Sequence, residues 1–102
     1  MTDIEASRGA LVARLLEGAG RAAAGLRRAA FDGGDVAEPL RPLLEKVSTR
    51  AHEVGDDDVA RARASGMSED EIFEVVVCAA VGRATRRHEA ALAALRACTK
   101  VA

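Results

Sequence analysis

The sequence predicts an all-α fold of about five helices, and two observations support this. Apolar residues recur at helical spacing throughout the 102 residues, and no segment has the pattern of a strand. Glycine-containing turn signals separate the apolar runs, as in "DGGD" at 32–35. The length is typical of one domain, so residues 1–102 are expected to fold as a single unit.

The first helix is predicted over residues 1–32. Thr2 and Glu5 have the spacing of a capping box at its start. Four glycines interrupt it, and each weakens a helix by about 1 kcal/mol relative to alanine. This helix therefore needs packing partners along its apolar stripe, which consists of Ile4, Leu11, Leu15, Ala19, Ala22, Leu26 and Ala29.

The second helix is predicted to open at Glu38-Pro39, because proline suits a first helical turn. A short third helix is expected from about Asp57 to Ala64, with Asp56 as its N-cap and Gly66 as its C-terminal cap. The buried face of the second helix is predicted to contain Leu40, Leu43, Leu44, Val47, Ala51 and Val54.

The start of the fourth helix is the clearest local signal. Ser68 and Glu71 form a capping-box pattern, and Met67 and Ile72 occupy the two positions of a hydrophobic staple. Gly82 is expected to mark a bend before a fifth helix. The buried stripes are predicted to be Ile72, Val75, Val76, Ala79 and Ala80, then Ala84, His88, Ala91, Leu92, Leu95 and Cys98.

The composition favours an oligomer without membrane or nucleic-acid partners. Alanine, leucine and valine supply most of the apolar content, and Phe31 and Phe73 are the only aromatics, so burial between subunits is expected. Fifteen basic residues nearly balance sixteen acidic ones. No segment has the apolar length that spans a bilayer, and no signal peptide is recognisable, which leads us to expect a cytoplasmic protein. Cys78 is expected to pack as a small hydrophobe.

Residues 59–75 also fit a helix-turn-helix pattern. The second helix of that pattern presents Glu69, Asp70 and Glu71, and such acidic groups repel phosphates. Arg83, Arg86 and Arg87 follow that helix and are expected on a solvated or subunit-pairing face. Charge therefore argues against DNA binding.

The segment "ARASGMSEDEI", Ala62 to Ile72, is similar to the "ARxxGLSxEEI" segment of the AhpD-like, carboxymuconolactone decarboxylase-like family. The order of segments from Pro39 to Leu95 also resembles that family, with residues 38–100 as the family-like core. The resemblance implies an all-α helical bundle, assembly as trimers or hexamers, and a ligand site near a subunit interface.

The redox members of that family carry a C-x-x-C-x-x-x-H motif before this segment. One thiolate attacks the oxidant and the second thiol resolves it as a disulfide. By the family's spacing, the two cysteines would fall at Ala51 and Val54 and the histidine at Asp58, and none of these matches. The family's upstream acidic residue would fall near Pro39, next to Glu38. The resemblance therefore implies the fold without the thiol peroxidase centre.

Three residues are candidates for proton transfer. Asp58 can act as a general acid or base only if burial raises its pKa towards neutrality. In the alternative interpretation, Asp57 and Asp58 are simply part of the first turn of a capped helix. His52 lies on the polar side of the second helix, and His88 lies on an apolar stripe as an interior, interface or catalytic group. His52, Glu53, Asp56 and Asp58 offer metal donors without a recognised spacing, so no metal or cofactor is expected.

We therefore expect a homo-oligomeric, AhpD-like protein with a non-redox binding, accessory or structural role. The alternative is a thiol-free enzyme, similar to a lactone decarboxylase, that uses Asp58, His52 or His88 for proton transfer.

Overall fold

A computed structural model describes residues 2–101 of the chain, with side chains from Asp3 to Thr99. It contains five α-helices and, within this range, no β-strand, which confirms the all-α prediction. A short 3-10 helix at Ala51–Glu53 follows the third helix. The helices are α1 (Thr2–Glu17), α2 (Ala24–Asp32), α3 (Leu40–Thr49), α4 (Asp56–Ala64) and α5 (Glu69–Val101).

The division of the helices differs from the prediction at two places. The N-terminal helix is broken between Glu17 and Ala24, and the C-terminal helix runs without interruption through Gly82. The predicted single helix at 1–32 and the predicted break at Gly82 are therefore wrong. Pro39 precedes α3 instead of lying in its first turn.

The break between α1 and α2 is held by a side chain from α5. The Glu74 carboxylate accepts hydrogen bonds from the backbone amides of Arg21, at 2.9 and 3.0 Å, and Ala22, at 3.1 Å. These bonds hold the pKa of Glu74 below its ordinary value. Glu74 thus fixes the loop to the start of α5.

Arg27 completes this connection from the other side. Its side chain is buried, and its Nη1 donates to the carbonyls of Leu15, at 3.1 Å, and Gly18, at 2.8 Å. Carbonyls at a helix C-terminus lack intrahelical partners, so this arginine satisfies the end of α1.

Gly82 allows α2 and α5 to approach closely. A Cβ atom at this position would lie 2.6 Å from the Phe31 carbonyl carbon and 2.8 Å from the Phe31 Cα. Real Cβ atoms are not found so close to a backbone, so the contact requires glycine at position 82. The glycine that suggested a bend is instead a packing site.

The hydrophobic core lies where α2, α3 and the first half of α5 meet. Leu43, Val75 and Cys78 are its most completely buried side chains. Ile4 and Leu11 of the predicted N-terminal stripe are each 61% exposed, so their predicted burial is wrong. Ala19, Ala51 and Ala80 are also exposed, in contrast to the prediction.

The capping predictions for α4 and α5 are largely confirmed. The Ser68 amide donates to Glu71 Oε1 at 3.0 Å, and the Glu71 amide donates to Ser68 Oγ at 3.1 Å. Gly66 has a φ of 103° after the end of α4, a conformation that favours glycine. The N-cap of α4 is Gly55 and not Asp56. The predicted capping box of Thr2 and Glu5 depends on a side chain outside the described ones.

The second half of α5 extends away from the core. The chain measures 54 × 28 × 20 Å, and its radius of gyration of 15.6 Å exceeds the about 13 Å of a compact domain of this length. Five of the six residues on the predicted inner side of the last helix are exposed, namely Ala84, His88, Ala91, Leu95 and Cys98, so their predicted burial is wrong, whereas Leu92 is half-buried. Within residues 2–101 no helix is long and apolar enough to cross a membrane.

Candidate functional site

A pocket of about 490 Å³ lies between the loop after α2, one side of α3 and the middle of α5. The "DGGD" loop forms its rim, and the half-buried Ser48 of α3 contributes a hydroxyl to its wall. Arg41, Arg83 and Arg86 bring three guanidinium groups to this one pocket.

Arg83 provides an unsatisfied donor. Its side chain is half-buried, and its Nε is buried without a hydrogen-bond partner among the described residues. It also makes no ion pair with a described carboxylate. The buried Nε of Arg27, which lies outside this pocket, also lacks a partner among the described residues. What distinguishes Arg83 is that it lines the pocket and makes no ion pair there, so its guanidinium group can donate to a ligand.

Arg86 is positioned by the end of α2. Its Nη1 donates to the Phe31 carbonyl, one of the groups that a helix C-terminus leaves unpaired. Gly33 has a φ of 69°, and a Cβ there would lie 3.1 Å from Arg86 Nη2. The loop glycine therefore fits both the left-handed backbone and the adjacent guanidinium.

Three acidic residues, Asp32, Asp35 and Glu45, also line the pocket, and all three are exposed. Asp32 pairs with Arg28 at 3.4 Å, at the surface. Asp35 is 99% exposed and lies 3.7 Å from Arg41, which also donates to the Val36 carbonyl at 3.3 Å. Such exposed pairs are weak. The half-buried charged residues of the pocket are Arg83 and Arg86, so its inner wall is more basic than its rim.

These groups can bind a small oxyanion. Guanidinium groups present N–H donors in a fixed fork that matches carboxylate and phosphate oxygens, and bonds to charged groups are stronger than neutral ones. The half-buried walls of the pocket reduce the screening of this charge by water. Among the described residues, the hydroxyls of Ser48 and Thr49 in this pocket make no hydrogen bond to a carboxylate or a histidine, and Thr49 donates to the Glu45 carbonyl at 2.8 Å.

Asp58 is held as an anion at the start of α4. It is 3% exposed, its Oδ2 accepts from the Gly55 amide at 3.0 Å, and it pairs with Lys46 at 3.1 Å and Arg61 at 2.7 Å. The Gly55 bond, followed by the bond from Lys46, holds its pKa below the ordinary value of 3.8, although burial acts in the opposite direction. The condition for proton transfer, a raised pKa, is not met.

The two histidines lie on the surface. His52 is in the 3-10 helix with its side chain 82% exposed, 3.8 Å from the Glu53 carboxylate, and His88 is exposed on α5. The shallow pocket beside Asp58 is lined by neither of them. The structure therefore does not bring His52, His88 and Asp58 together in one pocket.

The two cysteines are in different environments. Cys78 is fully buried, as predicted, and burial raises the pKa of its thiol. Cys98 is exposed near the end of α5. At the positions of the family's thiols, Ala51 is exposed and Val54 is half-buried.

Arg83 and Arg86 were missed as site residues by the sequence analysis. They were expected on a solvated or subunit-pairing face, yet both are half-buried against the end of α2, whereas Arg87 is exposed. The sequence feature that could have identified them is a pair of arginines three residues apart, the first of which directly follows a glycine. That spacing places both on one helix face, and the continuation of α5 through Gly82 is what sets this face against the end of α2.

No group of three or more His, Cys, Asp or Glu side chains that could hold a metal occurs in the described part of the chain. No family model, curated protein or solved structure matches the chain.

Proposed function

We propose that the protein is a non-redox binding protein for a small oxyanion, a carboxylate or a phosphate. The observation that carries the proposal is the pocket in which the half-buried Arg83 and Arg86 lie together with Arg41, with no ion-pair partner for Arg83 among the described residues. A bound oxyanion would supply acceptors for these guanidinium groups. The lining residues of the pocket all come from one chain.

The proposal includes the AhpD-like fold without its thiol centre. The segment from Ala62 to Ile72 supports the relationship, and Ala51 and Val54, where thiols would be needed, argue against dithiol chemistry. Peroxide reduction with dithiol donors is therefore expected to be absent. Peroxidase activity that disappears in Cys78→Ser would contradict this part of the proposal.

The binding test uses inorganic phosphate, acetate and succinate as probes, with sodium chloride at equal ionic strength as the baseline. Isothermal titration measures affinity, and NMR follows the Nε–H resonance of Arg83. We expect saturable binding of at least one probe together with a shift of that resonance. The carboxylate and phosphate arms distinguish the two ligand classes.

Matched variants separate specific binding from general charge. Arg83→Gln removes a charge-assisted bond of about 1.5–3 kcal/mol, which corresponds to an affinity loss of about 10- to 100-fold. Arg83→Lys keeps the charge but loses the planar fork, so it should also bind weakly. Arg87→Gln removes the same charge from an exposed position and should bind like the wild type. Equal losses in Arg83→Gln and Arg87→Gln, or no saturable binding of any probe, would refute the proposal.

A further inference from the structure

The C-terminal half of α5 has an apolar face that no other described element covers. Leu95 is 64% exposed, and the shallow groove beside it is lined by Leu92, Leu95, Arg96 and Thr99, all from α5. A helix of this length without tertiary packing is only marginally stable in water. We therefore expect a partner to pack along this face of the α5 extension.

The spacing of this face is that of a coiled-coil seam. Thr85, His88, Leu92, Leu95 and Thr99 follow one another at intervals of three and four residues. These are the a and d positions of a heptad, which puts Glu89 and Arg96 at the two flanking e positions. Both charged residues are exposed, and neither has an ion-pair partner among the described side chains.

We infer that a second copy of this chain covers the face, with the two α5 helices antiparallel. In an antiparallel pair each a position meets a d position, so Leu92 packs against the partner's Leu95. The same register places Glu89 beside the partner's Arg96, and the two-fold symmetry repeats this pair. The antiparallel arrangement thus forms two leucine contacts and two ion pairs.

A parallel pair does not satisfy the same groups. It would place the e positions beside the g positions, which are Ala84, Ala91 and Cys98, so Glu89 and Arg96 would remain unpaired. Charge complementarity therefore selects the antiparallel orientation.

The inference does not depend on the oxyanion pocket, and its test uses the whole chain. Sedimentation velocity across a wide range of protein concentrations should show a reversible species of twice the 10.6 kDa chain mass. Leu92→Glu should abolish this species, while continued protection of the buried Cys78 thiol from alkylation shows that the core remains folded. A concentration-independent monomer, or a trimer, would overturn the inference.

Charge reversal tests the register. Arg96→Glu or Glu89→Arg turns both ion pairs into repulsions and should weaken association by about tenfold. The double variant Glu89→Arg/Arg96→Glu should restore it, and an equimolar mixture of the two single variants should form heterodimers. Arg87→Glu is the matched reversal outside the seam and should associate like the wild type. A double variant no stronger than either single variant would exclude this register.

Discussion

Gly82→Ala is expected to destabilise the protein, although alanine is the better helix former. In an open helix this change contributes about 1 kcal/mol of stability. Here the new Cβ would lie 2.6 Å from the Phe31 carbonyl carbon, so the backbone of α2 or α5 must move. Overpacking of this kind costs about 3 kcal/mol at the upper end of its usual range. The net loss is therefore about 2 kcal/mol.

Urea unfolding followed by circular dichroism measures this loss, and a thermal scan should show a decrease in Tm of roughly 8–16 °C. The displacement should also weaken oxyanion binding, because Arg83 follows Gly82 directly and Arg86 bonds the carbonyl of Phe31.

Gly9→Ala and Gly25→Ala are the matched controls, since a Cβ at either position meets nothing within 4 Å. Both should keep or raise the free energy of unfolding, by up to about 1 kcal/mol. If Gly82→Ala proved as stable as these controls, the close approach of α2 and α5 described above would be wrong.

Three further predictions concern the polar and thiol groups. Asp58→Asn should be less stable than the wild type at neutral pH. The pKa of Asp58 in the folded protein lies below 3.8, so its carboxylate stabilises the fold fully above pH 3.8. This stabilisation disappears as the pH falls through the folded-state pKa, and the free energies of unfolding of the two proteins should therefore become equal in acid. Glu74→Gln should accelerate hydrogen exchange of the Arg21 and Ala22 amides, whereas Glu71→Gln, which affects only the cap of α5, should not. Thiol titration should detect Cys98 alone in the native protein and both cysteines in denaturant; rapid native alkylation of Cys78 would contradict its burial.

Features encoded by near neighbours could be predicted from the sequence. The capping box of Ser68 and Glu71 and the left-handed Gly66 each depend on residues within one turn of the chain. The burial of Cys78 follows from its apolar neighbours. Local chemistry is sufficient for these features, so their positions were predicted correctly.

Features that depend on distant residues could not be predicted. The break before α2 is stabilised by Glu74, more than fifty residues away along the chain. Gly82, inside the uninterrupted α5, packs against the backbone of Phe31, and the arginine pocket depends on this contact between α2 and α5. Periodicity describes one helix at a time, so it contains no information about which helix ends meet.

Because α5 is uninterrupted, the pocket residues and the coiled-coil seam have a fixed angle between them about the helix axis. Each residue turns a helix by about 100°, so one alanine inserted after Arg87 would swing Leu92 and Leu95 by that angle while the residues at Arg83 and Arg86 stay in place. Seven inserted residues would return the seam to within about 20° of its original direction. The number of residues between the pocket and the seam thus decides whether the two keep their relative orientation on α5.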